Sequence, residues 1–490
     1  MMLETVFEDL AVLIPELTIA FAAIVSLIFG SYFKKASQYI FIPISISSLV
    51  AIYFAITGYG QDLGAFNDSV LYNSYTISMK VIILVAFLIA LLSLSIIKPK
   101  ESAIPFEIPV LLSLSVIGML IMVCANDLLI IYLGLELMNL PLYVLTTFSQ
   151  KHSKSHEAGL KFFMLGALSS CLYLFGSSIM YGFVASTNFN IIGGYHISVM
   201  NSNEIEVAVP IALLIALVLI LSAFFFKVSS APFHMWVPDV YQGAPTFITM
   251  FLSAAPKIAS VSVLLNILYM PFIDLIDQWQ QVIVFCAIAS LFIGSLGGIM
   301  QKKLKRMLAY STIGHIGFIL MAISVGELSG IIGAISYITI YVAMSFLTFL
   351  PILSLETDDK YNGKIKEISG LAKAHPLLSV IILIAMLSMA GIPPFAGFFA
   401  KFYVLFSVIE QGLYSLAIIG VLATVVSCYY YLRIIKVMYF DHANNSFTIN
   451  IPFSVKFIIL VVALFNVGYV MVPEPILAMA KQAAESLISI

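Results

Sequence analysis

Six ionisable residues stand in apolar sequence, where charge is expensive. Glu136 lies in IYLGLELMNLPLY, Lys161 in EAGLK behind Glu157, and Lys227 in AFFFKVSS. Lys257 lies in SAAPKIASVSVLL, His315 in YSTIGHIGF and Lys401 in AGFFAKFYV. A charge at a bilayer centre costs roughly 2.5–3.5 kcal/mol on insertion scales, so such residues face a protein interior or wet cavity and usually handle ions. The chemistry that fits is proton relay. An amine out of water sheds its proton readily, and a nearby carboxylate holds it. A lysine whose acidic partner approaches or recedes therefore loads and releases a proton, and such groups titrate as a coupled set. A neutral imidazole takes a proton on one nitrogen and gives it up from the other. His315 alone would read as a satisfied core residue; several lysines to connect tip it toward the relay. Glu157 and Lys161 are spaced to pair on one helix face. Near a helix end, this leaves Lys161 open between relay member and interfacial ion pair.

Other chemistries find no motif. No CxxC, Cys/His cluster, GxGxxG or P-loop occurs, so no metal, iron–sulfur or nucleotide site is expected. Cys124, Cys171, Cys286 and Cys428 stand singly in apolar runs and read as small buried residues. The acidic start, MMLETVFEDL, resembles neither a signal peptide nor a transit peptide.

The elements that position these residues must be membrane helices. Of 490 residues, 61% are hydrophobic and 10% charged, against about a quarter charged in a soluble domain. Apolar runs of about 20 residues mark spans near 10–30, 38–58, 76–97, 106–124, 127–148, 158–184, 207–229, 246–270, 281–300, 307–325, 328–354, 376–409, 412–437 and 453–473. The expected fold is thus an all-α polytopic membrane protein of about 14 transmembrane helices. Charge supports this spacing. Sixteen of the 23 basic residues fall in the odd-numbered loops, among them Lys34, Lys98, Lys151, Lys302, Lys366 and Arg433. Even-numbered loops and termini hold only Lys481 and are otherwise acidic. By the positive-inside rule both termini face away from the cytoplasm. Lys80 and Lys456 sit close to span starts and are expected to snorkel.

Two spans are too long to be plain. Residues 207 to about 242 and 376–409 would run roughly 50 Å as straight helices, against a core of about 30 Å. Pro232 and Pro238 lie in the first, Pro393 and Pro394 in the second. Proline removes a donor and clashes with the preceding turn, so both should break. Broken backbone at membrane depth lines a protein-enclosed or watery cavity, and matched interrupted helices in two halves point to a transport site built from repeats.

Five stretches together carry a family resemblance: GLELMNLPLYVL, KSHEAGLKFFMLGALSSCLYLFG, FKVSSAPFHMWVPDVYQGAP, KRMLAYSTIGHIGF and MLSMAGIPPFAGFFAKFYV. They resemble the N-type antiporter-like membrane subunits of bacterial NADH–quinone oxidoreductase, respiratory complex I. The resemblance spans the whole chain, and PDVYQGAP is its most specific motif. It implies two inverted five-helix repeats, the fourth to eighth and ninth to thirteenth helices, with the seventh and twelfth broken. The implied layout is one membrane domain, with three helices in 1–105, repeats in 106–270 and 281–437, and a last helix at 453–473. By resemblance Glu136 and Lys227 form a pair, Lys161 follows, Lys257 is the central lysine, and His315 leads to Lys401 near the exit. Glu157, Pro232, His234, Pro393 and Pro394 support them. A straight-rod estimate puts Lys227 near one membrane surface whereas the resemblance puts it at mid-depth, and a break in its helix removes the basis of the rod estimate.

M-type relatives carry glutamate at the Lys401 position, and L-type relatives add a long C-terminal lateral helix. Both usually have tryptophan where this chain has Leu135. The implied function is proton pumping driven by NADH:quinone electron transfer in other subunits, with no cofactor in this chain and FMN, iron–sulfur clusters and quinone in its partners. Implied neighbours are an M-type antiporter-like subunit, the K-, J- and A-type small subunits, and lipids; no nucleic acid is expected. The implied location is the bacterial inner membrane. A subunit of a related multisubunit cation/proton antiporter or membrane-bound hydrogenase, and a purely structural scaffold, remain alternatives.

Overall fold

The computed structural model describes residues 9–33, 40–96, 105–149, 153–201, 210–357, 361–442 and 453–489. Several loop residues behind the charge assignment, including Lys34, Lys98, Lys151 and Glu204, lie outside these. Among the described residues the fold is all-helical apart from one antiparallel hairpin, β1 (Leu63–Ala65) with β2 (Val70–Tyr72). Among the described residues 11 helices are long and apolar enough to cross a bilayer. Three shorter apolar helices join them: Phe41–Thr57, Pro376–Ala390 and Lys456–Gly468.

In chain order the helices are α1 (Ile14–Tyr32), α2 (Phe41–Thr57), α3 (Ser74–Ile96), α4 (Glu107–Cys124), α5 (Leu128–Thr146) and α6 (Ser153–Val184). Then come α7 (Phe189–Asn201), α8 (Ile211–Val228), α9 (Val237–Gly243), α10 (Thr246–Tyr269), α11 (Ile276–Ile299) and α12 (Leu304–Ile323). The remainder are α13 (Leu328–Leu355), α14 (Pro376–Ala390), α15 (Ala396–Glu410), α16 (Tyr414–Tyr439), α17 (Phe453–Gly468) and α18 (Glu474–Ile488). Burial sorts them into an inside and an outside. The apolar stretch of α10 is wholly buried, and α12 and α13 are nearly so. By contrast α1, α2, α6 and α16 leave rows of large apolar side chains uncovered, such as Phe21, Ile46, Phe163 and Leu422. In a lipid-embedded chain an uncovered apolar row faces acyl chains rather than water.

Glycine sets the two closest helix crossings. The pairs α4/α5 and α11/α12 pack most extensively. A Cβ on Gly118 would lie 2.6 Å from the Gly134 carbonyl oxygen, and one on Gly294 would lie 2.6 Å from Gly314 Cα. Lipid offers no hydrophobic drive between helices, so close backbone approach through small residues supplies the contact. Local rules start the helices. Asp127 caps α5, accepting from Leu129 N at 2.7 Å, and Thr187 Oγ1 donates to its other oxygen at 2.6 Å.

Both over-long spans are interrupted. After α8 the chain turns at Ser229 (φ 72°), passes Pro232 and re-enters helix at α9. After α14 it turns at Gly391 (φ 81°), passes Pro393 and Pro394 and re-enters at α15. Each break contains a cis prolyl peptide bond. Pro238 lies inside α9 near its start, where a missing N–H breaks no intrahelical bond. The sequence reading had no element for the hairpin, α7 or α18. α18 is amphipathic and buries Ala480, Ala483, Ala484 and Leu487 against α3 and α13. Cys124 and Cys286 are buried as expected of small residues, but Cys171 is exposed on the outer face of α6.

Candidate functional site

Four of the six residues are buried: Lys227, Lys257, His315 and Lys401. Lys257 lies on α10, 11 residues from its start and 12 from its end. At 1.5 Å per residue that is about 17 Å from either end of the helix. Its Nζ donates to the Lys227 carbonyl at 3.1 Å and to Ser229 Oγ. That carbonyl belongs to the last turn of α8, where C=O groups lack intrahelical partners and carry partial negative charge. The broken end of α8 thus meets α10 near the middle of that helix. The Trp236 ring, 5.0 Å from Lys257 Nζ, covers it, and Trp236 Nε1 donates to the Phe226 carbonyl at 3.0 Å. The break makes the site: an unbroken α8 would offer no free carbonyl.

Lys227 points elsewhere. Its Nζ reaches Tyr143 OH of α5 at 3.5 Å and lies 5.2 Å from the Phe226 ring. Glu136 stands two turns before Tyr143 on the same α5 face. It is half-buried and accepts from Ser170 Oγ of α6 at 2.5 Å. Glu136 and Lys227 are not within ion-pair distance; Ser170 takes the Glu136 carboxylate and Tyr143 the Lys227 ammonium.

A second lysine repeats the helix-end contact. Lys401 of α15 is buried, and its Nζ donates to the Met389 and Ala390 carbonyls at 3.1 and 3.0 Å, the last of α14. His315 of α12 is held from both sides, Nδ1 at 2.8 Å from Tyr337 OH and Nε2 at 3.2 Å from Tyr431 OH. Tyr431 is itself 2.5 Å from Ser311 Oγ, and Tyr341 OH donates to Thr312 Oγ1 at 3.0 Å. A cavity of about 20 Å³ lined by Ser311, His315, Ser427, Tyr431 and Lys401 separates imidazole from ammonium. That is room for about one water, with polar partners to hold it. Tyr241 of α9 lies between the halves, its buried hydroxyl without a hydrogen-bond partner among the described residues.

Lys161 stands apart from this centre. Its side chain is 42% exposed and pairs with Glu157 and Asp239, each at 2.7 Å. Asp239 also takes Arg306 at 2.5 Å, so one carboxylate ties α6 and α9 to α12. Beside it Lys305 donates to the Ala244 carbonyl at 2.9 Å and to Thr246 Oγ1 at 3.0 Å. The break prolines face outward: Pro232, Pro393 and Pro394 are exposed, while His234 is half-buried. Sequence reasoning missed Asp239, Arg306, Ser229 and the tyrosines around His315. Only Asp239 carried a signal, an acid inside a membrane-depth motif.

Lys80 does not snorkel. It is fully buried and pairs with Glu16 of α1 at 2.7 Å, below Tyr72 of the hairpin. The pair joins α1 to α3 and touches none of the relay candidates. Lys456 is exposed. Among the described residues no group of three or more His, Cys, Asp or Glu is placed to hold a metal ion.

Two broken helices, each closed by a buried lysine, mark a membrane subunit of antiporter type. A family profile described as NADH:quinone oxidoreductase/Mrp antiporter, transmembrane, matches residues 125–427. Solved chains share the fold: one from respiratory complex I of Thermus thermophilus with bound aureothin has TM-score 0.78 and 23% identity, covering 95% of this chain and 98% of its own. A chain of an archaeal membrane-bound sulfane sulfur reductase gives 0.86 at 22% identity, and one of the Mrp complex from Dietzia sp. gives 0.82 at 18%, each covering 98% of both chains. Curated relatives are narrower. NADH-quinone oxidoreductase subunit N of Paramagnetospirillum magneticum is 40% identical over 485 residues, 98% of each chain. That of Pelagibacter ubique is 42% identical over 444 residues, 90% of this chain and 92% of its own. The chain belongs to the NADH-quinone oxidoreductase subunit N family, the antiporter-like membrane subunits of complex I.

Proposed function

We propose that this chain translocates protons within complex I, through Glu136, Lys227, Lys257, His315 and Lys401. The observation that carries the reading is the pair of buried ammonium groups on the carbonyl ends of α8 and α14. Carbonyl dipoles stabilise a cation without taking its proton. Each lysine is therefore held in place yet remains free to hand a proton to water. Glu136 sets the charge state of Lys227 by approach or withdrawal, and Tyr143 marks the route between them. Lys227 passes its proton to Lys257, whose own acceptors begin at the Lys227 backbone. His315, gripped at both nitrogens by tyrosine hydroxyls, relays it by exchanging tautomers, and one water carries it to Lys401. Lys161 enters through Asp239, whose other partner, Arg306, lies in the second half.

In this reading the helices form fourteen spans, arranged as two inverted five-helix repeats at 106–270 and 281–437. The matched glycine crossings and matched breaks support it. Both termini lie on the periplasmic side of a bacterial inner membrane. FMN, iron–sulfur clusters and quinone sit in partner subunits, and an M-type subunit and the K-, J- and A-type small subunits flank this one. A subunit of a stand-alone cation/proton antiporter is the second reading, favoured by the Mrp likeness alone. The test is Lys257→Met in the assembled complex, reconstituted in vesicles, with protons counted per electron delivered to quinone. A lowered ratio with full assembly supports the relay; an unchanged ratio refutes it.

A further inference from the structure

Where α16 ends, a cavity of about 660 Å³ opens beside the loop that precedes α14. Lys366, Arg433, Lys436 and His442 line it, against a single carboxylate, Asp441. No carboxylate among the described residues is within ion-pair distance of Lys366, Arg433 or Lys436. Arg433 is fixed in place: its Nη1 donates to the Ile299 and Gln301 carbonyls at 3.1 and 3.2 Å, at the end of α11. On the floor of the cavity Ser369 is buried, and its hydroxyl has no hydrogen-bond partner among the described residues. Leaving a buried hydroxyl unsatisfied is costly, so a polar group from outside is expected to reach it.

The approach to this cavity is apolar. Ile418, Val421, Leu422, Val425, Tyr429 and Leu432 all stand exposed along α16 and rise to the cavity mouth. Their spacing of three and four residues makes one continuous stripe on a helix. A cationic pocket at the top of an uncovered apolar stripe fits a two-part ligand, with phosphate above and acyl chain below. A soluble anion would use the pocket and leave the stripe bare. The basic loops place this end of α16 on the cytoplasmic side, where anionic lipid is drawn to clustered Lys and Arg.

We propose that the cavity binds the headgroup of an anionic phospholipid, with Lys366, Arg433 and Lys436 on the phosphate, Ser369 donating from below, and the acyl chains along the α16 stripe. The site rests on the membrane placement of the chain and not on the proton relay, so either can fail alone. The test uses the purified, delipidated complex in native mass spectrometry, titrated with phosphatidylglycerol or cardiolipin and, separately, phosphatidylcholine. Lys366→Gln/Lys436→Gln changes two exposed side chains and leaves Arg433 anchored. It is expected to weaken anionic lipid binding roughly thirtyfold, about fivefold per charge removed, with phosphatidylcholine unchanged. Ser369→Ala, which removes no charge, should weaken it severalfold and serves if the double variant fails to assemble. Equal anionic lipid binding by wild type and variants overturns the proposal. So does displacement of the lipid by millimolar inorganic phosphate, which would make this a free-anion site. Loss of a neighbouring subunit with lipid retained would make it a protein interface and overturn it as well.

Discussion

The two halves of the molecule close a broken helix with a lysine in different ways. In the first half the ammonium comes from another helix: Lys257 of α10 reaches across to the Lys227 carbonyl of α8. In the second it comes from the same span: Lys401 of α15 folds back on Met389 and Ala390, 12 and 11 residues earlier. The residue two places before the left-handed turn also differs. It is Lys227 before Ser229, and Met389 before Gly391. Near the glycine crossings the first half has Glu136 two residues after Gly134, and the second has Ile316 after Gly314. Among the relay candidates, the first half therefore has a carboxylate near its lysines, while the second has one lysine and one histidine set among tyrosine hydroxyls. The halves share a backbone device, and in the proposed relay they divide the chemistry: the first would load charge and the second conduct it.

A control outside both halves should show the largest stability effect. Glu16→Leu leaves Lys80 buried and unpaired, at a cost of about 3–5 kcal/mol, whereas Glu16→Leu/Lys80→Met should recover most of it. Thermal melting of the complex checks this. If the single variant melts like wild type, the pair is not buried in the assembly. Next come the crossings, one per half. Gly118→Leu and Gly294→Leu each force a side chain into backbone, at about 1–3 kcal/mol each. Similar losses of assembled complex in a pull-down support equivalent crossings; tolerance of either breaks the parallel between halves. The smallest effects belong to the imidazole. Tyr431→Phe removes the hydroxyl's bonds to His315 and Ser311; loss of the imidazole bond, about 1 kcal/mol, should slow proton pumping about fivefold, with electron transfer slowed alongside it in a coupled complex. Tyr337→Phe should do the same, and a difference between them would identify the nitrogen that receives the proton.

Much of the backbone was legible because its causes are local. Span length against bilayer thickness, together with Pro232, Pro393 and Pro394, foretold two interruptions, and the chain leaves helix at Ser229 and Gly391. Charge bookkeeping singled out Lys161, Lys227, Lys257 and Lys401 because no surface role was left for them; the last three are buried, whereas Lys161 is partly exposed and held in ion pairs. What it could not supply was pairing. Lys80 lies six residues into α3, close enough to an edge to suggest snorkelling, and its partner Glu16 is 64 positions away in a helix that gave no sign of facing it. Tyr337, Tyr341 and Tyr431 are indistinguishable in sequence from core or interfacial aromatics, because only packing decides which hydroxyls converge on His315. Asp239 sat in a stretch read as broken chain, so its bridge from Lys161 to Arg306 needed the fold.

The division of labour is tested most directly by matched substitutions in one assembled complex. Lys227→Met and Met389→Leu alter the same place in the two halves, and proton transfer per electron would be measured for both in vesicles. The account predicts that Lys227→Met lowers proton transfer by on the order of a hundredfold, the scale of losing a positioned acid–base group, while Met389→Leu stays close to wild type. Equal effects from the two changes, or full pumping by Lys227→Met, would contradict it.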